Sequence, residues 1–181
     1  CGASDVKWGQ GRTFGYVFDA GREIEGVAKR AFTMFMSENA LDPTQFPSLL
    51  RFENDVVQMA LSHLGAPEGA SGNFTSGGTE SILIACKAAR DRFRARHPDE
   101  RGQPQMILPV TAHAAFHKAA HFLGLEVVPT AVDPESFEAD PDAVRAAVGP
   151  RTALIVGSAT SYAHGVVDPI EQLGAIAQER D

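Results

Sequence analysis

The run Thr75-Ser76-Gly77-Gly78-Thr79-Glu80-Ser81 places hydroxyl side chains around a pair of glycines where a helical stretch begins. Glycines let a backbone turn tightly and approach a ligand closely. A helix starting there presents unpaired N–H groups and the positive end of its dipole. Ser76, Gly77, Gly78 and Thr79 are thus the parts of a phosphate cradle. It is not a Walker loop, because no lysine follows the glycines. A plain turn with Thr79 as helix N-cap uses the same residues, so this segment alone leaves both readings open.

Two more polar segments follow apolar strands. In the first, His113, His117 and His121 recur four residues apart, on one helical face. That spacing suits a metal, but no Cys or carboxylate stands beside them at ligand spacing, so no metal is expected. His117 and His121 read as helix-surface residues. His113 differs, because it lies where a strand ends, and ligands of open α/β sheets bind there. The second is Ser158-Ala159-Thr160-Ser161-Tyr162-Ala163-His164-Gly165-Val166-Val167-Asp168-Pro169. A long turn into a capped helix accounts for Gly165, Asp168 and Pro169, but not for Tyr162 and His164, which read as ligand contacts.

The elements that must hold these groups follow from periodicity and punctuation. Residues 1–20 have no period and read as an ordered arm. Helices are expected over 22–38, with Ile24, Val27, Ala28, Ala31 and Met34 on one face, and over 48–64, with Leu49, Val56, Val57, Ala60 and Leu64. Gly65 and Pro67 stop the second. Further helices are expected over 79–96, 114–123, 140–148 and 168–178, the last with Asp168 as N-cap and Pro169 in its first position. Between them, 106–110, 125–131 and 152–157 are apolar strands. Short apolar strands alternating with helices imply an α/β domain with a mostly parallel sheet. Residues 1–64 are expected as an arm with helices, and 65–181 as the α/β domain.

Composition narrows the field. The 181 residues carry a formal net charge of -7, which argues against nucleic-acid or anionic-membrane binding. No run of roughly 18 apolar residues occurs, so no membrane segment is expected. Cys1 and Cys86 are too few for a disulfide framework; Cys86, in a helical pattern, reads as a buried thiol in a reducing, cytoplasmic setting. The chain starts at Cys1 rather than Met, which leaves room for an upstream leader or anchor.

Taken in order, these segments resemble a known family. The Thr75–Ser81 run resembles the phosphate-binding segment of group II pyridoxal-phosphate (PLP) decarboxylases. Its continuation to Ala85-Cys86-Lys87 is similar to sphingosine-1-phosphate lyases and their bacterial relatives. His113-Ala114-Ala115-Phe116 resembles the segment whose histidine stacks on the cofactor ring. His164-Gly165-Val166-Val167-Asp168-Pro169 resembles the family's segment after the next strand, and Asn39-Ala40-Leu41-Asp42-Pro43 a stretch near the substrate. The resemblance runs from about Val6 to the end, and several motifs in the right order are more specific than any one.

The resemblance implies the large domain of a fold-type-I PLP enzyme, incomplete at its C-terminus, and a homodimer. It implies PLP as cofactor, held by Ser76, Gly77, Gly78, Thr79, His113 and Thr160. It implies a small-molecule amine or amino-acid substrate, met by Asn39, Asp42, Tyr162 and His164, and cleaved at a carbon–carbon bond by decarboxylation or retro-aldol reaction. There are two departures. At Asp42 the lyases commonly carry a histidine that helps hold the substrate phosphate; an aspartate repels a dianion, which counts against phosphorylated sphingoid bases. The Schiff-base lysine and the aspartate that pairs with the pyridine nitrogen are expected beyond Asp181, because Lys7, Lys29, Lys87 and Lys118 lie in no suitable context. The 181 residues alone are expected to be inactive. A non-catalytic fragment that needs a second segment, or a phosphate-binding α/β domain unrelated to PLP, remains the alternative.

Overall fold

A computed structural model describes residues 5–7, 17 and 19–179. Most of the expected arm over 1–20, including Cys1, and the terminal Arg180-Asp181 lie outside the described residues. The chain divides into two compact units, residues 1–74 and 75–181.

The first unit contains α1 (Arg22–Met34) and α2 (Pro47–His63). Gly21, at φ 90°, starts α1, and Glu23 and Glu25 sit in its first turn, where the helix dipole favours acids. Pro47 does more than end the preceding segment: it occupies the first turn of α2, where its missing N–H costs nothing. Beyond α2, Gly65 takes φ 60°, a turn that glycine adopts without strain. The rings of Phe35 and Phe52 meet edge to face at 5.3 Å. Neither helix buries a residue. Ile24, Val27 and Met34, expected on an apolar face of α1, are all at least half exposed.

The second unit is the α/β layer. It contains α3 (Gly78–Arg96), β1 (Gln105–Pro109), α4 (Ala114–Leu123), β2 (Glu126–Thr130), α5 (Pro141–Ala147), β3 (Thr152–Ile155) and α6 (Ile170–Gln178). The strands form a parallel sheet in the order β2-β1-β3. The central strand β1 is apolar and buried from Met106 to Pro109 because both of its faces are covered. Met106 and Leu108 face a core with Cys86 of α3, Ala119 and Ala120 of α4, Leu125 and Val156. Ile107 faces the other way, into Ala139, Val144 of α5, and Leu173 and Ile176 of α6. Alternation along β1 therefore builds both halves of the core. Complete burial of a side chain such as Ile107 is worth about 2 kcal/mol.

Helix ends fix the direction of each layer. Gly124 closes α4 in the left-handed region (φ 65°). Asp140 caps α5 by accepting from the N–H groups of Asp142 and Ala143. The expected cap of the last helix does not form. α6 begins at Ile170 after Pro169 with no side-chain cap, and Asp168 is instead 2% exposed. Its carboxylate is taken by two distant backbone N–H groups, those of Ser158 (2.7 Å) and Ala139 (2.9 Å), and so cannot turn back to the helix. A groove lined by Phe93 of α3, His97 just after it, Thr152 of β3 and Ala177 of α6 puts the C-terminal ends of α3 and α6 beside the start of β3. The N-terminus of α3 accordingly lies at the opposite edge, where the strands end. No helix among the described residues is long and apolar enough to cross a membrane.

Candidate functional site at the strand ends

At this edge the turn before α3, the N-terminus of α4 and the loop after β3 carry the predicted groups of the second unit. The turn is shaped by its own side chains. Thr75 Oγ1 donates to the Gly77 carbonyl (3.1 Å) and pairs with Ser81 Oγ at 2.6 Å. Glu80 Oε2 accepts from both the backbone N–H (2.7 Å) and the hydroxyl (2.6 Å) of Ser76. These bonds, the hydroxyl bond first, hold the Glu80 carboxyl below its ordinary pKa. Ser76 therefore has its donors engaged by Glu80. Gly77 is the N-cap, without a side-chain cap, and Thr79 lies inside the helix, exposed. A Cβ built on Gly77 or Gly78 would meet no atom within 4 Å, so the space over this helix end is open. Glu80 went unread in the sequence. Its signal was a glutamate following the Ser76 turn at one residue more than capping-box spacing.

His113 is the N-cap of α4. Its Nδ1 accepts from the Ala115 N–H at 3.1 Å, which leaves Nε2 as the protonated nitrogen of the neutral ring. The ring is exposed, and its centroid lies 5.6 Å from that of Tyr162, tilted by 57°. His117 and His121 are exposed further along α4.

The loop after β3 carries Thr160, Tyr162 and His164, all exposed. An antiparallel bridge between Ala159 and Val167 closes it, with bonds from Ser161 N–H to the Val166 carbonyl and from Gly165 N–H to the Ser161 carbonyl, each 2.8 Å. Ser161 is buried, and its hydroxyl has no hydrogen-bond partner. His164 turns its ring onto Phe137, stacked at 4.7 Å.

Asn39 and Asp42 belong to the first unit. Each shapes its own turn: Asn39 Oδ1 accepts from Leu41 N–H at 3.1 Å, and Asp42 Oδ1 from Thr44 N–H (2.8 Å) and hydroxyl (2.7 Å). The Thr44 hydroxyl bond leads in lowering the Asp42 pKa, so the group is a carboxylate at neutral pH.

The second unit thus offers uncapped N–H groups over open space, a hydroxyl at Thr79, and an exposed imidazole beside a phenol. That set fits a ligand with a phosphate at one end and a flat ring at the other.

Comparison with known proteins gives concordant results. Residues 62–181 match the family model described as Aminotransferase class-V. Sphingosine-1-phosphate lyase of Arabidopsis thaliana is 41% identical over 182 residues, spanning 96% of this chain and 33% of the relative. The solved structure of a sphingosine-1-phosphate lyase from Burkholderia pseudomallei superposes with a TM-score of 0.88 at 39% identity, over 96% of this chain and 41% of that one. Glutamate decarboxylase of Lactobacillus brevis gives a TM-score of 0.80 at 22% identity, over 89% of this chain and 38% of that one, which bears on the fold alone. The chain spans about a third of the length of the curated relatives it matches, as with the 32% of the Dictyostelium discoideum lyase. The parallel α/β sheet expected from the strand–helix alternation, and the large-domain fold that the resemblance implied, are those of these neighbours.

Proposed function

This chain belongs to the aminotransferase class-V family, and from that premise we propose that it is part of a PLP-dependent lyase that cleaves a carbon–carbon bond in a small amine or amino acid. The observation that carries the reading is that an open, uncapped α3 N-terminus and the His113–Tyr162 ring pair both stand at the edge where the strands end. PLP, when bound, supplies an electron sink for the bond that breaks.

The rest falls to this chain. The N–H groups of Gly78 and Thr79, the Thr79 hydroxyl and the dipole of α3 hold the phosphate. Ser76, with its donors on Glu80, contributes the shape of the turn. His113, its orientation fixed by the Ala115 N–H, would contact the cofactor ring. Thr160 borders the cofactor from the loop after β3. Tyr162 orients the substrate and can hand a proton to or from its phenol oxygen at the reacting end. Asn39 and Asp42, in the first unit, are assigned to the substrate by the resemblance to the lyases alone. Asp42 is an anion where the lyases hold a phosphate, so an unphosphorylated substrate fits better than a phosphorylated sphingoid base.

The lysine that carries the cofactor lies outside the 181 residues. Lys7, Lys29, Lys87 and Lys118 are exposed; Lys29 pairs with Glu25 and Lys87 with Asp91, each at 2.6 Å, and Lys118 sits over the Phe122 ring. The complete protein is proposed to be a cytoplasmic homodimer. The unburied apolar side chains of α1 and α2, Phe32 and Met34 among them, supply the surface that a second copy would cover. A monomer at micromolar concentration in sedimentation would count against it.

The test is a PLP titration of the full-length protein, followed by assays of CO2 and aldehyde release with amines and amino acids, phosphorylated and not. A visible absorption band with turnover of an unphosphorylated substrate is expected. Binding of nucleotides but not PLP would replace this reading with that of a plain phosphate-binding domain.

A further inference from the structure

We propose that His164 is a positioning residue: stacked on Phe137, it fixes the loop that brings Tyr162 to His113. The proposal rests on the reading above of Tyr162 and His113 as groups that face substrate and cofactor.

The bonds within the loop after β3 set its shape, while its tilt over the strand ends is set from outside. Two contacts from the segment 132–139 that follows β2 brace it, besides the Tyr162 contact to His113. At the base, the buried Asp168 carboxylate joins Ser158 N–H to Ala139 N–H. At the tip, the His164 and Phe137 rings lie almost parallel, 16° apart with centroids 4.7 Å apart.

The segment that offers Phe137 is itself braced. Val132 and Ala139 form an antiparallel bridge, Phe137 N–H donates to the Asp133 carbonyl at 2.8 Å, and Asp133 Oδ1 accepts from Glu135 and Ser136 N–H. Phe137 has φ 61°, a region that bulky L-residues rarely adopt. Its ring is still 42% exposed, so burial does not compensate for that conformation. The conformation does present the ring flat to His164. Tyr162 stands two residues before His164 in the same turn, so holding one holds the backbone of the other. His164, expected to meet substrate, has one ring face on Phe137.

The test reads the His113 ring directly in full-length protein with 13C-labelled histidine and no added cofactor. The Tyr162 ring current shifts the His113 Hε1 resonance, and Tyr162→Ala defines the size of that shift. His164→Ala and Phe137→Ala should each move the resonance most of the way to its Tyr162→Ala position. His164→Phe, which keeps a flat ring, should leave it in place, and adding His164→Ala to Tyr162→Ala should change nothing further. The proposal fails if His164→Ala leaves the resonance unmoved, if His164→Phe moves it as far as His164→Ala, or if the double variant moves it further. PLP titration of the parent protein is scored separately. Failure to bind would sink the proposed function, while the resonances would still decide the role of His164.

Discussion

The rings of His113 and Tyr162 stand 5.6 Å apart although 49 residues separate them in sequence, one at the N-cap of α4 and the other in the loop after β3. If His113 stacks on the cofactor ring, His113→Ala should weaken PLP binding by about tenfold, the scale of one aromatic stack. His117→Ala and His121→Ala, on the exposed face of α4, should leave it unchanged. Equilibrium titration of the three variants checks this.

Gly78→Val tests the cradle with little risk to the fold. A Cβ there meets no protein atom within 4 Å, and valine is not a worse helix residue than glycine. The melting temperature without PLP should hold, while PLP affinity should fall below detection because the side chain fills the space of the phosphate. Unchanged affinity would reject the cradle.

The Glu80–Ser76 clasp carries a pH dependence whose sign is fixed. The folded pKa of Glu80 lies below its unfolded value, so the clasp stabilises above the usual glutamate range and is lost as pH falls through the folded value. Glu80→Gln should flatten that part of the acid-side fall in melting temperature. Parallel curves for parent and variant would show that the clasp contributes nothing.

Asp168 is a buried anchor. Asp168→Ala would strand the N–H groups of Ser158 and Ala139 and should destabilise the protein by about 3 kcal/mol, and Asp168→Asn should restore little of it, because its one amide oxygen serves one N–H while its NH2 faces the other. Chemical denaturation of both variants measures this.

Much of the second unit was legible because its signals are local. The apolar run of β1 must be buried on both faces, and Gly124 and Asp140 mark helix ends by their own chemistry. Asp168 was misread for the same reason. An aspartate before a proline and a helix looks like a cap, yet its partners, Ser158 and Ala139, lie ten and 29 residues away. The apolar stripes of α1 and α2 could be read as periodicity, but a period does not say what covers it. Within the site, Gly77, Gly78 and His113 could be found from turn chemistry and position at a strand end. Glu80 and Phe137 could not, because one acts by bending back four residues and the other through a ring contact across two loops.

This chain is proposed to supply the phosphate cradle and ring contact of a PLP enzyme whose catalytic lysine lies elsewhere in the protein. The most direct measurement is borohydride reduction of the full-length protein with PLP, followed by peptide mapping of the labelled lysine. The account predicts one labelled lysine per chain, outside residues 1–181, and none when Gly78→Val has removed the cradle. Label on Lys7, Lys29, Lys87 or Lys118, or no label on the parent protein at all, would contradict it.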